Sequence, residues 1–116
     1  MPPPSKLAIA TSSVQRLVKE EASYHKELVQ QEARIAKLEK GSDDENAEYQ
    51  MKQERKALEE TRAVIPTVKE RIQAALTALE QQLEINKAEG APADTEQVAK
   101  AKEVVAAAYT AIREVS

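Results

Sequence analysis

The stretch VQRLVKEEASYHKELVQQEARIAKL, residues 14–38, carries a mostly hydrophobic stripe whose spacing alternates between three and four residues. An α-helix turns once in about 3.6 residues, so this spacing keeps the stripe on one helix face and forms a coiled-coil seam. Two further stretches, 65–82 and 98–115, repeat the same spacing. The stripes consist of Val14, Leu17, Glu21, Tyr24, Leu28, Gln31, Ile35 and Leu38, of Ile65, Val68, Ile72, Ala75, Leu79 and Gln82, and of Val98, Ala101, Val105, Ala108, Ile112 and Val115. We therefore predict an all-α fold: an elongated, antiparallel three-helix bundle with coiled-coil-like packing.

Two breaks divide the chain into three helices, which we predict to form a single domain over residues 1–116. Gly41 follows the first stripe and suits the left-handed position that ends many helices. A Gly-Ala-Pro run at 90–92 ends the second helix, and Asp94 with Gln97 has the spacing of a capping box for the third. The predicted helices cover about residues 5–40, 44–89 and 94–115.

Pro66 lies inside the second predicted helix, and the apolar pattern continues on both sides of it. A proline in a helix interior removes one backbone hydrogen bond, here to the carbonyl of Arg62, and costs ~3 kcal/mol. We predict that the second helix is kinked at Pro66. The kink is either tolerated by packing or used as a hinge.

The third helix is too short to cover the whole hairpin formed by the first two. Short connections make consecutive helices antiparallel neighbours. The third helix then covers residues 5–16 and 68–89, and leaves residues 17–40 and 44–67 as a two-helix hairpin. The apolar residues expected to be partly exposed there are Leu17, Val18, Leu28, Ile35, Leu38 and Leu58. Such a surface usually binds a partner, unless Lys and Arg stems cover it.

Polar residues occupy core-type positions in this two-helix half, namely Glu21, Gln31, Glu54 and Thr61. They either specify the register of the helices, as buried polar residues do in coiled coils, or line a seam that faces a partner. His25, the only histidine, follows Glu21 by one helical turn, so their side chains can pair. One such pair does not make a tetrahedral zinc site, and we expect no metal.

Composition and motifs point away from catalysis. The chain has no Cys, and both of its glycines lie at predicted helix ends, so neither a thiolate site nor a phosphate-binding loop is expected. Adjacent glutamates such as Glu59 and Glu60 do not face each other on a helix. We predict that the protein is not an enzyme and uses no cofactor. The net charge of −3 includes no basic stripe, so we expect no nucleic-acid partner.

The chain lacks the sequence features of a membrane protein. No apolar run approaches the ~18 residues needed to span a bilayer, and the MPPPSK start lacks the apolar core of a signal peptide. A surface-bound amphipathic helix is disfavoured because Trp and Phe are absent and acids balance bases on the polar faces. We expect a soluble cytoplasmic protein with no membrane partner.

An ordered set of short motifs over residues 14–79 resembles the tubulin-folding cofactor A family, also called tubulin-specific chaperone A. The motifs are an RLVKE run at 16–20, the following Tyr24, QQE at 30–32, a Y-x-x-K-Q segment at 49–53, and Ile65-Pro66 followed by Arg71. The resemblance implies a three-helix bundle that binds β-tubulin folding intermediates after chaperonin release and holds them for assembly of the αβ dimer. It implies no nucleotide or metal, further tubulin-folding cofactors as partners, and a cytoskeleton-associated location. The Ala-rich third helix departs most from the family pattern.

The two-helix half and the resemblance together give a set of predicted β-tubulin contacts. They are Arg16, Lys19, Glu20, Tyr24, Glu27 and Gln31 of the first helix, and Tyr49, Lys52, Gln53, Glu59, Arg62 and Arg71 of the second. The alternative function is a homodimeric coiled-coil adaptor, in which two hairpin halves pair with each other. The sequence leaves monomer and homodimer both open.

Overall fold

The computed structural model describes residues 5–41, 45–88 and 95–113, and these residues form three α-helices. Helix α1 spans Lys6–Glu39, α2 spans Ala47–Ala88 and α3 spans Thr95–Arg113. The bundle measures 68 × 28 × 17 Å, so it is a rod. The predicted all-α, elongated three-helix architecture is confirmed.

Local chemistry explains where α1 begins and ends. Ser5 caps its start, because the side-chain Oγ accepts a hydrogen bond from the Ala8 N–H at 3.0 Å. At the other end Gly41 adopts φ +100°, the left-handed conformation predicted for it, and its N–H donates to the Leu38 carbonyl at 3.1 Å. Helix α2 starts at Ala47, three residues later than predicted, because 45–46 still belong to the turn. The predicted helix end at 90–92 and the capping residue Asp94 lie outside the described residues.

The main core lies where all three helices pack together. Aliphatic residues of α1 and α2 fill it, and α3 packs against them with smaller side chains, which lets this helix approach closely. Its buried members are Leu7 and Val14 of α1, Val68, Ile72, Leu76 and Leu79 of α2, and Ala101, Val104, Ala108 and Ala111 of α3. Six of these ten residues lie on the predicted stripes, whereas Leu7, Leu76, Val104 and Ala111 do not. The stripe residues Ala75, Val105 and Ile112 are instead half-buried at the edge of the core, because a helix packed between two neighbours buries a wider face than a two-helix seam.

One side of the α1–α2 hairpin carries α3, and burial identifies it. Thr11 of α1 and Leu76 of α2 are buried within the three-helix part, whereas residues whole heptads away, such as Glu32 and Arg62, are exposed. We call this side the α3 flank. At the shared start of α1 and α3, Ser5 Oγ donates to Gln97 Oε1 at 3.0 Å.

Tyr109 links α3 to α2 along the same flank. Its hydroxyl lies 3.1 and 3.0 Å from the two carboxylate oxygens of Glu80, and it donates its hydrogen there. This hydrogen bond, followed by desolvation and the charge of Glu80, raises the pKa of Tyr109, while the nearby Arg113 charge opposes the rise. The Arg113 guanidinium also lies 5.9 Å from the Tyr109 ring centroid. Polar contacts therefore supplement the small apolar face of α3.

The opposite side of the hairpin lacks α3 along its length, and we call it the open flank. Helical spacing from the core places on it Glu20, Tyr24, Glu27, Gln31 and Arg34 of α1, and Gln53, Glu54, Glu60, Thr61 and Arg71 of α2. Ion pairs across the hairpin show which residues of the two helices face each other: Glu32 faces Arg62, and Arg34 faces Glu54. Both flanks of the two-helix half are thus free of a third helix.

Two of the six apolar residues predicted to be partly exposed are instead buried. Leu28 and Ile35 retain only 5% and 8% of their exposure, whereas Leu17, Val18, Leu38 and Leu58 are half-buried as predicted. The prediction was wrong for Leu28 and Ile35 because long side chains bridge the hairpin on both flanks. Arg34 reaches Glu54, and on the α3 flank Glu39 and Glu32 meet arginines of α2.

Helix α2 continues through Pro66 without interruption, and Pro66 itself is exposed. The exposed position lets the ring sit on the solvent side of the helix, where the missing hydrogen bond is least costly. The kink at Pro66 stays a prediction. None of the helices formed by the described residues is long and apolar enough to cross a membrane.

Candidate partner-binding surface

The predicted contact residues separate into three regions of the hairpin. The open flank holds Glu20, Tyr24, Glu27 and Gln31 of α1 with Gln53 and Arg71 of α2. Arg62 lies on the α3 flank, and the outer, solvent-facing surfaces hold Arg16, Lys19, Tyr49, Lys52 and Glu59. The structure therefore brings about half of the set together on one surface, by the helical spacing of α1 and α2.

Gln31 occupies the centre of the open flank and is 2% exposed. Its Nε2 donates to Glu27 Oε1 at 3.4 Å, a long bond, and its Oε1 is buried with no hydrogen-bond partner among the described residues. A buried acceptor without a donor costs about 1–3 kcal/mol, and such atoms are uncommon in native folds. Gln31 is thus the polar seam residue whose side-chain oxygen lacks a hydrogen-bond donor among the described residues.

The other polar seam residues are satisfied within the hairpin. Thr61 donates its hydroxyl hydrogen to the Ala57 carbonyl one turn earlier, at 3.0 Å. Glu54 Oε1 accepts from Arg34 Nε at 3.0 Å, across the two helices. The contact with Arg34 supports the register interpretation for Glu54, because it joins the two helices. The Thr61 hydrogen bond lies within α2 and is independent of the register.

Glu21 and His25 form the pair that their spacing predicts. Glu21 is 1% exposed, and its Oε2 lies 2.9 Å from Nε2 of His25, whose side chain is 23% exposed. A carboxylate accepts hydrogen bonds, so the imidazole nitrogen donates here. Among the described residues, no cluster of three or more His, Cys, Asp and Glu side chains could hold a metal ion. The pair is a buried polar contact of the seam.

Tyr24 connects the open flank to the main core. It is half-buried and packs against the three-helix cluster, so part of its side chain remains exposed. Leu38 is half-buried at the other end of the flank and borders a shallow groove with Arg34 and Gln50. The open flank is therefore a mixed surface with apolar patches at both ends and polar groups between them.

A second groove lies at the far end of the hairpin, bordered by Leu38, Ala47 and Met51. Its rim carries charges of both signs, from Glu48, Lys52, Arg55, Lys56 and Glu59. Arg55 also reaches Glu39 at 3.6 Å. The predicted contacts Lys52, Gln53 and Glu59 thus line one groove, while Tyr49 is 65% exposed on the outer surface nearby.

Sequence reasoning missed two residues of the open flank, Arg34 and Glu60. Arg34 follows Glu27 by one heptad, and Glu60 precedes Thr61, so helical spacing alone could have placed both on this flank. Arg34 faces Glu54 across the hairpin, and this pairing depends on the register between α1 and α2.

Comparison with known proteins gives a consistent result. Residues 2–105 match the family model described as Tubulin binding cofactor A. The Tubulin-specific chaperone A of Mus musculus is 44% identical over 81 residues, which cover 70% of this chain and 72% of the relative. The Saccharomyces cerevisiae protein of that name is 37% identical over 79 residues, covering 67% and 72%.

A solved structure extends the likeness to the whole bundle. The crystal structure of tubulin folding cofactor A from Arabidopsis thaliana superposes with a TM-score of 0.74 at 32% identity, and the alignment covers 90% of this chain and 92% of that chain. The family model spans all of α1 and α2 and the first half of α3. This chain belongs to the tubulin binding cofactor A family.

Proposed function

We propose that this chain is a tubulin chaperone that binds β-tubulin folding intermediates after their release from the chaperonin and holds them for assembly of the αβ dimer. The names of its relatives support tubulin as the client. The proposed role is to hold a surface, so it needs no catalytic group, nucleotide or metal. We place this activity in the cytoplasm, associated with the cytoskeleton, with further tubulin-folding cofactors as later partners.

The observation that carries this proposal is the open flank of the two-helix half. It combines half-buried Tyr24 and Leu38 with a buried amide, Gln31, whose oxygen has no hydrogen-bond partner among the described residues. Mixed surfaces of this kind, with an aromatic anchor beside polar groups, are typical of protein interfaces. A rod 68 Å long offers this surface without rearrangement, which suits a holding function.

The predicted contacts divide into two roles under this proposal. Those of the open flank, such as Tyr24 and Gln31, would form the buried centre of the interface. Those on the outer surfaces, such as Arg16 and Lys19, would act mainly through charge, by guiding the client into place. Capture would cover a tubulin surface that otherwise aggregates or is buried in the αβ dimer.

Size-exclusion chromatography with light scattering tests the proposal. The purified chain is run alone, with β-tubulin released from the αβ dimer, and with the intact dimer. A stable complex with released β-tubulin but not with the intact dimer is expected. A mass of twice the chain, with no complex, would instead support the homodimeric adaptor in which two hairpin halves pair.

A further inference from the structure

The outer face of α1 carries basic side chains and no acidic ones. Its positions are 8, 9 and 12 and those that follow them by whole heptads up to 40, all turned away from the core by the helical spacing. All 20 Asp and Glu of the chain lie at other positions, although the net charge of the chain is −3. We call this surface the basic face. Its charged members, all exposed, are Arg16, Lys19, Lys26, Lys37 and Lys40.

The acids of α1 occupy its other sides. Glu20 and Glu27 lie on the open flank, and Glu21 is buried in the seam. Glu32 and Glu39 lie on the α3 flank, where they meet arginines of α2. Acids and bases alternate along the linear sequence, so no basic stripe is visible until the buried side of the helix is known. The structure therefore separates charges that the sequence mixes.

The stability of the helix does not account for these bases. Lys19, Lys26 and Lys37 have no Asp or Glu three or four residues away in either direction, where helical ion pairs form. None of the bases of the face forms an ion pair with a described residue. Lys37 and Lys40 suit the negative end of the helix dipole, but Lys19 and Lys26 lie too far from it. The described fold thus pairs no acid with Lys19 or Lys26, and a bound partner can supply one.

An apolar patch lies at the centre of the basic face. Val29 is 67% exposed, the largest exposure of any large hydrophobic side chain among the described residues. A β-branched residue loses side-chain freedom in a helix, so an exposed valine gives the free protein no advantage there. The alanines around it, all exposed, are Ala22, Ala33 and Ala36. Lys26 and Lys37 frame this patch, which gives it the apolar centre and polar rim of a protein interface.

The basic face is continuous with the open flank. Lys37 lines the same shallow groove as Arg34 and Leu38, at the far end of the hairpin. Arg16 precedes Glu20 of the open flank by one helical turn, so the two surfaces also meet nearer the start of α1. A client held on the open flank therefore lies beside the basic face and can contact both surfaces.

The spacing of the charges favours a protein over nucleic acid or a membrane. The bases extend over about 36 Å of helix, and those beside the apolar patch, Lys26 and Lys37, are about 16 Å apart. Duplex DNA carries one negative charge per about 1.7 Å, which is far denser than the charge of this face. A membrane-bound helix inserts large apolar or aromatic side chains, whereas the patch consists of one valine and alanines. Carboxylates of a protein segment can be spaced to match the lysines.

We propose that the basic face of α1 docks an acidic segment of the bound client, with Lys26, Val29 and Lys37 at the centre of the contact. This inference rests on the proposed function, in which the client is tubulin. It specifies the chemistry of the client segment: carboxylates spaced to reach Lys26 and Lys37, with a small apolar side chain between them. An extended chain rises about 3.3 Å per residue, so acids about five residues apart match the two lysines. The contact persists in the complex, in contrast to charges that only guide the client.

Charge reversal at the centre of the face tests the contact. Lys26→Glu with Lys37→Glu should lower the affinity for released β-tubulin about tenfold or more at low salt, because two attractions become repulsions. Lys26→Arg with Lys37→Arg keeps both charges and should bind like the wild type. The matched control, Lys100→Glu with Lys102→Glu, changes the net charge equally at exposed positions of α3 and should also bind like the wild type. All three variants should keep the helical content of the wild type, since none of these side chains is buried.

Binding kinetics separate docking from guidance. Charges that only guide a client change the association rate constant, whereas groups in contact also change the dissociation rate constant. The double reversal at Lys26 and Lys37 should therefore also speed dissociation. Val29→Thr keeps the branched shape and adds no charge, so it should raise the dissociation rate constant about threefold and leave the association rate constant unchanged. Dissociation rate constants equal to that of the wild type in both variants would overturn the docking surface.

A peptide probe tests the chemistry of the segment without tubulin. Short poly-glutamate should shift the amide resonances of isotope-labelled protein near Lys26 and Lys37 more than those near Lys100, and it should compete with β-tubulin. Poly-lysine of the same length should do neither. Equal shifts beside the lysines of all three helices would overturn the face as a specific site. Phosphatidylserine vesicles or duplex DNA that bind the face when poly-glutamate does not would overturn the assignment to an acidic protein segment.

The docking surface and the function fail in different ways. If the wild type binds released β-tubulin and the double reversal at Lys26 and Lys37 binds equally well, the docking surface is wrong and the chaperone function stands. If the double arginine variant loses as much affinity as the double reversal, charge is not what the client reads and the docking surface is again wrong. If the wild type does not bind released β-tubulin, the proposed function itself fails, and with it the client named here.

Discussion

The carboxylate of Glu21 is buried in the seam of the hairpin and lies 2.9 Å from Nε2 of His25, one turn further along α1. Both residues belong to the same helix, so the contact forms wherever α1 is helical and does not depend on the register with α2. Burying a carboxylate is costly unless hydrogen bonds replace its water. The imidazole therefore stabilises Glu21 in the core by acting as its donor.

Removing the imidazole should show how much the stability of the fold depends on this donor to Glu21. His25→Ala leaves the Glu21 carboxylate buried without its donor, and we expect the free energy of unfolding to fall by about 1–3 kcal/mol. Urea unfolding followed by circular dichroism measures the change. In a Glu21→Leu background the same His25→Ala substitution should cost much less, because no buried carboxylate remains. Equal losses in the two backgrounds would show that His25 acts through packing alone.

The hydrogen bond from Tyr109 to Glu80 predicts that the fold loses stability at alkaline pH. The pKa of Tyr109 is raised above its ordinary value of 10.0, mainly because the neutral hydroxyl donates to Glu80. A raised pKa means that the fold favours the neutral phenol, so its stabilisation is complete below pH 10 and is lost as the pH rises through the raised value. Tyr109→Phe should therefore lose stability less steeply above pH 10 than the wild type.

Thermal midpoints measured between about pH 8 and pH 11 test this prediction. Tyr49→Phe is the matched control, since Tyr49 is 65% exposed on the outer surface of α2. Its alkaline profile should follow the wild type. Parallel profiles for the wild type and Tyr109→Phe would contradict a contribution of this hydrogen bond to folding.

The positive φ of Gly41 predicts that replacing this glycine lowers the stability of the protein through backbone strain alone. Its φ of +100° is a conformation that L-residues rarely adopt, and a Cβ built there meets no atom within 4 Å. Gly41→Ala should therefore destabilise the protein by about 1–2 kcal/mol through strain, without a steric clash. Gly41→Asn should cost less, because asparagine tolerates left-handed conformations better. An alanine variant as stable as the wild type would show that the turn relaxes to another conformation.

The sequence predicts part of the core of this protein, because the helical period carries that information. Val14 and Ile72 lie on the predicted stripes and are fully buried, and Gly41 marks the end of α1. The prediction failed for Leu28 and Ile35, which were expected to be partly exposed because only two helices surround them. Their burial depends on side chains such as Arg34 that reach across the hairpin, and that reach follows from a register the stripes do not specify.

The candidate site was predictable only in part. Helical spacing could place Tyr24 and Gln31 on one flank, and it identified Gln31 as a polar residue of the seam. It could not show that the Gln31 oxygen lacks a donor, because that property depends on the conformations of Gln31 and Glu27 together. The outer residues Arg16 and Lys19 are exposed, and their predicted role therefore has to rest on charge.

Charge reversal at Arg16 and Lys19 tests that role. Neither side chain forms an ion pair with a described residue, so changing both to Glu should leave the helical content and thermal midpoint nearly unchanged. If these charges guide β-tubulin into place, the affinity should fall about three- to tenfold at low salt, and the difference should shrink as salt is added. Lys100→Glu with Lys102→Glu is the matched control, because it reverses two exposed charges on α3, to which no contact is assigned. Equal affinity for the two double variants would remove Arg16 and Lys19 from the binding surface and leave the open flank as the site. A loss that persists at high salt would instead indicate that they make direct contacts with the client.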